Sequence, residues 1–245
     1  IVVDNASSGK DVEILNKKFK NYMKLFKNDK NYGFAEGNNI AIRKIIKDGK
    51  SKYVLLLNND TTVDKNFLNE LIETAEGNNR IGVVGSKILY YYDKNKVWFS
   101  GGKIIEKIGF VRHLNSSNVN QKTDYITGCS MLIKIKAIIQ NKRAFDKSLF
   151  MYCEDIQLCL DLRDKGYSLK ISPNSLVYHK ISKSSKTNQF IEYYNNRNKI
   201  RIFSSRNKFF KFFIIAQLFL KMIYKALKNR DLKIVSSFFK AVRDI

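Results

Sequence analysis

The sequence is poor in several residue types whose abundance would define a protein class. A single proline and 12 glycines in 245 residues leave no room for a collagen-like repeat or a Pro-rich linker. Cys129, Cys153 and Cys159 are odd in number and form no Cys-x-x-Cys pair, which argues against a disulfide framework or a zinc knuckle and fits a reducing compartment. Acidic residues are scarce as well, 22 Asp+Glu against 45 Lys+Arg, for a net charge of +23. Long uninterrupted apolar runs are missing: Phe209 to Leu227 is cut by Lys211, Gln217, Lys221 and Lys225, so its stretches fall short of the ~20 residues a membrane span needs.

What is present is a globular composition, 44% apolar and 27% charged, sized for one large α/β domain or two small ones. The charge is uneven. Residues 180–245 hold 16 Lys+Arg and 3 Asp+Glu, or +13, beside the aromatic and aliphatic run just described. That combination suits a basic amphipathic helix lying on an anionic membrane surface, the alternative being a helix packed on the body with its lysines in water. Nucleic acid is the other partner that +23 could serve, but no recognition motif accompanies it. A Lys-, Asn- and Ile-heavy vocabulary accounts for part of the excess without any function.

Strand and helix patterns alternate along the body. Ile1 to Val3, Tyr53 to Leu57, Ile81 to Tyr90, Tyr125 to Ile135 and Leu169 to His179 read as strands; Val12 to Phe26, Ala35 to Ile46 and Asn66 to Ala75 read as helices. This order predicts an α/β domain with a mostly parallel sheet, in which ligands sit beyond the carboxyl ends of the strands. The boundary falls in the Lys/Ser-rich stretch Lys180 to Lys186, giving a body over 1–186 and a helical basic tail over 187–245.

Several polar positions could carry chemistry. Asp60 follows five apolar residues and two asparagines, a rim carboxylate suited to Mg²⁺ or Mn²⁺ if the substrate brings a diphosphate, or else, with Thr61, Thr62 and Asp64, the start of a helix. Glu154 and Asp155 open a helix; its N-terminus favours an ionised carboxylate, as a general base requires, while plain capping is the alternative. His179 ends a strand and is a candidate partner for Asp60, whereas His113 has no such setting. The Gly/Asn segment from Asn31 to Asn39 runs into a helix and could meet an anion, although its spacing is not that of a P-loop. Trp98, in a loop-like stretch, could stack on a sugar or fill a core.

In this order and at these spacings, the pieces over Ile1 to Ile202 resemble the inverting nucleotide-sugar glycosyltransferases of family 2, which have the GT-A fold. The segments carrying the resemblance are Val2-Val3-Asp4-Asn5, Asn31-x-Gly33 with Asn38, Leu57-Asn58-Asn59-Asp60, Thr127-Gly128-Cys129-Ser130, Tyr152-Cys153-Glu154-Asp155, Val177-Tyr178-His179, and the Arg-Asn tract at Arg197-Asn198. The resemblance implies Asp155, with Glu154, at the catalytic position. It implies Asp4, Asn5, Asn31, Gly33, Asn38 and Asn58 around the nucleotide, and Asp60 and His179 on a divalent metal, Mg²⁺ or Mn²⁺. Trp98, Gly128 and Arg197 fall on the acceptor side. It also implies that the family's first strand, with about 40 residues, is missing ahead of Ile1. Asn58 in place of an acid leans toward rhamnosyltransferase-like members, with dTDP-rhamnose or a UDP-hexose as donor and a surface polysaccharide or lipid-linked oligosaccharide as acceptor. The expected location is cytoplasmic, peripheral on the inner face of the plasma membrane. A non-catalytic remnant of such an enzyme is the alternative.

Overall fold

The computed structural model describes residues 1–120, 122–181 and 189–245. The N-terminal elements are β1 (Val2–Asp4), α1 (Asp11–Phe19), β2 (Leu25–Lys27), α2 (Gly33–Asp48), β3 (Tyr53–Leu57), β4 (Thr61–Val63) and α3 (Phe67–Glu76). Next come β5 (Ile81–Tyr90), β6 (Asp93–Phe99), β7 (Gly102–Ile105), β8 (Phe110–His113), β9 (Ser130–Lys134) and α4 (Ile135–Asn141). The chain closes with α5 (Glu154–Asp164), β10 (Ser168–His179), α6 (Gln189–Arg206), α7 (Lys211–Asn229) and α8 (Lys233–Arg243).

The central sheet has the order β3-β9-β5-β10-β4, with β6 also on β5. β5 is buried along nearly its whole length, as expected for the near-continuous apolar run IGVVGSKIL in the middle of a sheet. Its side chains alternate between two layers: Val83 faces the main core with Ile133 and Ile171, and Val84 faces α3 through Leu71 and Ala75. One edge of β5 is shared. Val83 to Gly85 pair with β9, while Ile88 to Tyr90 pair with β6, and the space where β9 departs is where the cleft forms.

The α/β architecture is as expected, but the sheet is mixed rather than mostly parallel. Among the described residues only β5 and β10 run parallel in it, and β1 and β2 form a separate parallel pair. The alternation of strands with helices missed β6 and the β7–β8 hairpin, whose lysine-rich strands look solvated, so chain reversals passed for crossovers. Three further expectations change. The first helix stops at Phe19, because Leu25 and Phe26 pair with β1. The fourth strand begins at Ser130 rather than Tyr125, the preceding residues turning toward the cleft. Thr61 to Val63 form a strand instead of a helix start, since they pair with Val177 to His179. Pro173 sits inside β10 at a register break between Ser172 and Leu176, where its missing N–H costs no ladder bond.

The expected boundary stretch Lys180 to Lys186 lies mostly outside the described residues. Beyond it, Ile200, Phe203, Ile214, Leu218 and Phe238 join the same apolar core as Val83. On α7, Ile214, Leu218, Met222 and Ala226 form a buried stripe at four-residue spacing, while Phe212, Leu220, Tyr224 and Leu227 stand exposed on other faces. The helix therefore packs on the body and still presents apolar side chains outward. Among the described residues, no helix is long and apolar enough to cross a membrane.

Candidate active site

The loop before α5 has an unusual backbone. Phe150, Tyr152 and Cys153 all take positive φ, at 63°, 67° and 67°, a region that costs a residue with a Cβ about 1–2 kcal/mol. Two side chains of α6 hold it there. The amide of buried Asn198 donates to the carbonyls of Leu149, Met151 and Tyr152 at 2.9, 2.9 and 2.7 Å. Arg197 donates to those of Ser148 and Leu149, both at 3.0 Å, and through Nε to Asn198 Oδ1. From the other side, the Ala35 N–H at the start of α2 donates to the Phe150 carbonyl at 3.1 Å. Gly33 is required at this junction: its φ is +75°, and a Cβ there would lie 2.3 Å from the same carbonyl oxygen.

This loop delivers Glu154 and Asp155 to the cleft. Asp155 is not a simple cap. Its Oδ1 accepts from the Ile156 N–H at 2.8 Å and its Oδ2 from the Gly128 N–H at 3.0 Å, which ties α5 to the strand end on the opposite wall. Burial raises its pKa, with those N–H groups pulling the other way. Glu154 is buried, its Oε2 has no hydrogen-bond partner among the described residues, and burial followed by the neighbouring Asp155 raises its pKa to about 8. At neutral pH Glu154 thus holds its proton, while the Gly128 and Ile156 N–H groups favour the ionised form of Asp155 against its burial.

The antiparallel pairing of β4 with β10 sets Thr61 opposite His179, so Asp60, one residue earlier, meets the histidine ring. His179 Nε2 is 3.1 Å from each carboxylate oxygen of Asp60, and the backbone N–H of Lys180 donates to the Asp60 carbonyl at 2.8 Å. A carboxylate and an imidazole nitrogen converging from two strands form a donor set that suits Mn²⁺ or Mg²⁺ when a diphosphate completes the shell. Among the described residues, the Nδ1 of buried His179 has no hydrogen-bond partner, so only the Asp60 side fixes the ring. No group of three or more His, Cys, Asp or Glu able to hold a metal occurs among the described residues, so these two donors rely on a ligand for the remainder.

A cleft of about 420 Å³ opens at Glu154 and Asp155, and the Asp60–His179 pair adjoins it through Trp98 without lining it. Asn58, Trp98, His113, Gly128, Asp155 and Lys199 are among the residues that line it. Trp98 lies on β6 rather than in a loop, edge-on to His179 at 4.8 Å and to His113 at 5.0 Å. His113 was not foreseen; the β7–β8 hairpin, which pairs it with Gly102, brings it in. Burial, then Lys199, lowers its pKa to about 4, so it faces the cleft as a neutral ring. Asn195 and Lys199 line the cleft from α6, whereas the guanidinium of their neighbour Arg197 is turned to the loop carbonyls. Burial pushes the thiols of Cys129 and Cys153 up to about 12, which removes both as nucleophiles at neutral pH.

Most of the remaining site candidates shape the backbone. Asn5 Nδ2 donates to Asn31 Oδ1 and to the Gly33 carbonyl, and its Oδ1 accepts from Asn28 and from the Tyr32 N–H. Asn31 Oδ1 also accepts from the Gly33 N–H at 2.8 Å, and Asn38 donates to the Phe34 carbonyl. Asp4 accepts from the Ser7 N–H at 3.2 Å. Asn58 takes the Cys129 carbonyl through its N–H at 3.0 Å, closing the gap between β3 and β9.

A family model described as Glycosyl transferase family 2 matches residues 1–140. The chain belongs to that family. Low-salt glycan biosynthesis hexosyltransferase Agl10 of Haloferax volcanii is 26% identical over 172 residues, 69% of this chain and 54% of the relative. Rhamnosyltransferase WbbL of Escherichia coli K12 is 26% identical over 164 residues, 60% of this chain and 61% of the relative. The family 2 chain thus spans somewhat more than half the length of these curated relatives. Among solved structures, GalNAc-T7 with UDP, GalNAc and Mn²⁺ superposes with a TM-score of 0.62 at 14% identity, over 82% of this chain and 40% of the other. Mannosyltransferase PcManGT from Pyrobaculum calidifontis, with GDP-Man and Mn²⁺, gives 0.59 at 13%, over 99% and 64%. These likenesses establish the GT-A fold for the family 2 chain.

Proposed function

We propose that this chain is an inverting glycosyltransferase that moves a sugar from a nucleoside-diphosphate donor to a hydroxyl of a surface polysaccharide or lipid-linked oligosaccharide. The observation that carries the reading is the convergence on one cleft of half-buried Asp155, held by the Gly128 and Ile156 N–H groups, with Trp98, whose ring meets His179 of the Asp60–His179 pair edge-on. The name of the rhamnosyltransferase relative and Asn58 favour dTDP-rhamnose as donor over a UDP-hexose.

In the proposed step, Asp155 accepts the proton of the acceptor hydroxyl as that oxygen bonds to the anomeric carbon. The bond from that carbon to the diphosphate breaks on the opposite face, and its electron pair leaves with the nucleoside diphosphate. Asp60 and His179 would hold a divalent cation that neutralises charge developing on the diphosphate. Glu154, protonated at neutral pH, keeps a second negative charge away from Asp155. Gly128 orients Asp155 through its N–H, and Trp98 offers an aromatic face to a sugar ring. Asp4, Asn5, Asn31, Gly33, Asn38 and Asn58 form the nucleotide side. Exposed Phe209, Phe212, Leu220, Tyr224 and Leu227, next to a basic surface, support a peripheral seat on an anionic membrane.

The test is a pair of substitutions assayed against a panel of nucleotide sugars with Mn²⁺ or Mg²⁺. Asp155→Asn is expected to keep donor binding by thermal shift and to lose at least ~10²-fold in transfer, whereas Asp60→Ala loses cation-dependent donor binding as well. Transfer by Asp155→Asn near the wild-type rate would remove Asp155 as the base.

A further inference from the structure

Beside the catalytic cleft, α6 and α7 enclose a second recess of about 130 Å³. Lys199 of α6 and Lys221 and Lys225 of α7 line it with Glu192, Asn195 and Asn196. The spacings explain the convergence: 192, 195, 196 and 199 share one face of α6, as 221 and 225 share one face of α7. Asn195 and Lys199 also line the cleft, so the two spaces share a wall.

The charges of the recess do not balance. Its one carboxylate, Glu192, is taken by Lys225 at 2.6 Å. Among the described residues, Lys199 and Lys221 have no ion-pair partner. The repulsion registers on the groups around them: burial, then Lys199 and Lys225, hold the Lys221 ammonium below its ordinary value, with Glu192 opposing. A concave polar site with two uncompensated ammonium groups is completed by an anion. Lysine ammonium groups bind phosphate oxygens as point charges, and a phosphate group, with a charge of about −1.5 to −2, answers two uncompensated ammonium groups where a carboxylate brings only one charge. The volume exceeds several times the ~30 Å³ share of one water, room enough for a phosphate group.

We propose that Lys199, Lys221 and Lys225 bind a phosphate-type group carried by the acceptor, anchoring it beside Asp155. This rests on the reading of the cleft as a glycosyl-transfer site. The phosphate belongs either to a lipid headgroup or to a soluble phosphorylated glycan.

The experiment measures binding of inorganic pyrophosphate by calorimetry in EDTA, where the Asp60–His179 pair has no cation with which to hold a diphosphate. The full chain is compared with Lys199→Gln/Lys221→Gln and with Asp60→Ala, each checked for an unchanged circular dichroism spectrum. Affinity is expected to fall about tenfold or more in the lysine variant and to stay unchanged in Asp60→Ala. A second arm sediments the same proteins with phosphatidylcholine vesicles, with and without phosphatidic acid. Lysine-dependent sedimentation that pyrophosphate competes away assigns the lipid source, and lysine-dependent pyrophosphate binding alone assigns the soluble one. Equal pyrophosphate affinity in wild type and lysine variant, or no binding of either probe by wild type, overturns the proposal. Thermal shift by nucleotide sugar with Mn²⁺ is run in parallel. Its absence in wild type, together with lysine-dependent pyrophosphate binding, would sink the transfer reading and leave the anion site standing.

Discussion

Asn198 donates its side-chain amide to the carbonyl of Tyr152 at 2.7 Å, between two residues of the left-handed backbone that leads to Asp155. The same amide reaches Leu149 and Met151, so one buried side chain holds three carbonyls of a strained loop. Replacing it with alanine strands those carbonyls and releases the strain. Asn198→Ala is expected to cost about 2–4 kcal/mol of stability, since unpaired buried polar groups cost ~1–3 kcal/mol each. Transfer is expected to fall more than ~10-fold with donor binding retained, because a displacement near 1 Å at a catalytic group is that expensive. Urea unfolding and donor thermal shifts measure both. A variant with wild-type turnover would show that the loop keeps its shape unaided.

Gly33 approaches the same loop from α2. Alanine there must accept a φ of +75° and place Cβ 2.3 Å from the Phe150 oxygen. Gly166 separates the two effects, because its φ is +82° and a Cβ would meet nothing within 4 Å. Gly166→Ala is expected to cost the backbone strain alone, about 1–2 kcal/mol. Gly33→Ala should lose at least ~1 kcal/mol more and lower transfer as well, since it displaces the carbonyl that Ala35 also uses. Equal urea midpoints for the two variants would contradict the contact.

How far the sequence could be read follows from where each signal lies. Tyr53–Leu57 and Ile81–Tyr90 are strands with the bounds that their apolar runs imply, because buried central strands need no partner knowledge to be seen. β4 and β6 were invisible: three threonine-rich residues and a lysine-rich ribbon become strands only through pairing with β10 and β5. Asp60 and His179 were paired from their ligand chemistry and then from a family resemblance, and the physical reason for their meeting is the β4–β10 register, 119 residues apart in sequence. The resemblance put Arg197 on the acceptor side, whereas the partners of the Arg-Asn tract are backbone carbonyls, which leave no trace in residue identity.

Burial of Glu154 predicts a pH signature. Its pKa rises from an ordinary 4.5 to about 8 in the fold, so between those values the folded state holds a proton that the unfolded state has released. This contribution to stability is complete below about pH 4.5 and is lost as pH climbs through 8. Glu154→Gln, which mimics the protonated form, is expected to match wild type at low pH and to melt higher than wild type at pH 9. Transfer by this variant near pH 7 should stay within ~3-fold of wild type, because Glu154 is already protonated there and glutamine keeps its charge state. Melting curves from pH 5 to 9 test this, and parallel declines for the two proteins would contradict it.

The Asp60–His179 pair makes a prediction about metals that distinguishes its two donors. Carboxylate oxygen suits Mg²⁺ and Mn²⁺ alike, while an imidazole nitrogen favours the softer Mn²⁺. Asp60→Ala should therefore abolish stabilisation by nucleoside diphosphate with either cation, as should EDTA added to wild type. His179→Ala should lose its Mn²⁺ advantage, so that the two cations stabilise the nucleotide complex equally. The buried ring also packs edge-on against Trp98, so the substitution removes apolar contact and lowers the melting temperature without nucleotide. The comparison is consequently between nucleotide-induced shifts, each taken relative to the same variant without ligand. A His179→Ala protein that keeps the wild-type ratio of Mn²⁺ to Mg²⁺ shifts would confine the histidine to orienting Asp60 through the contact at 3.1 Å.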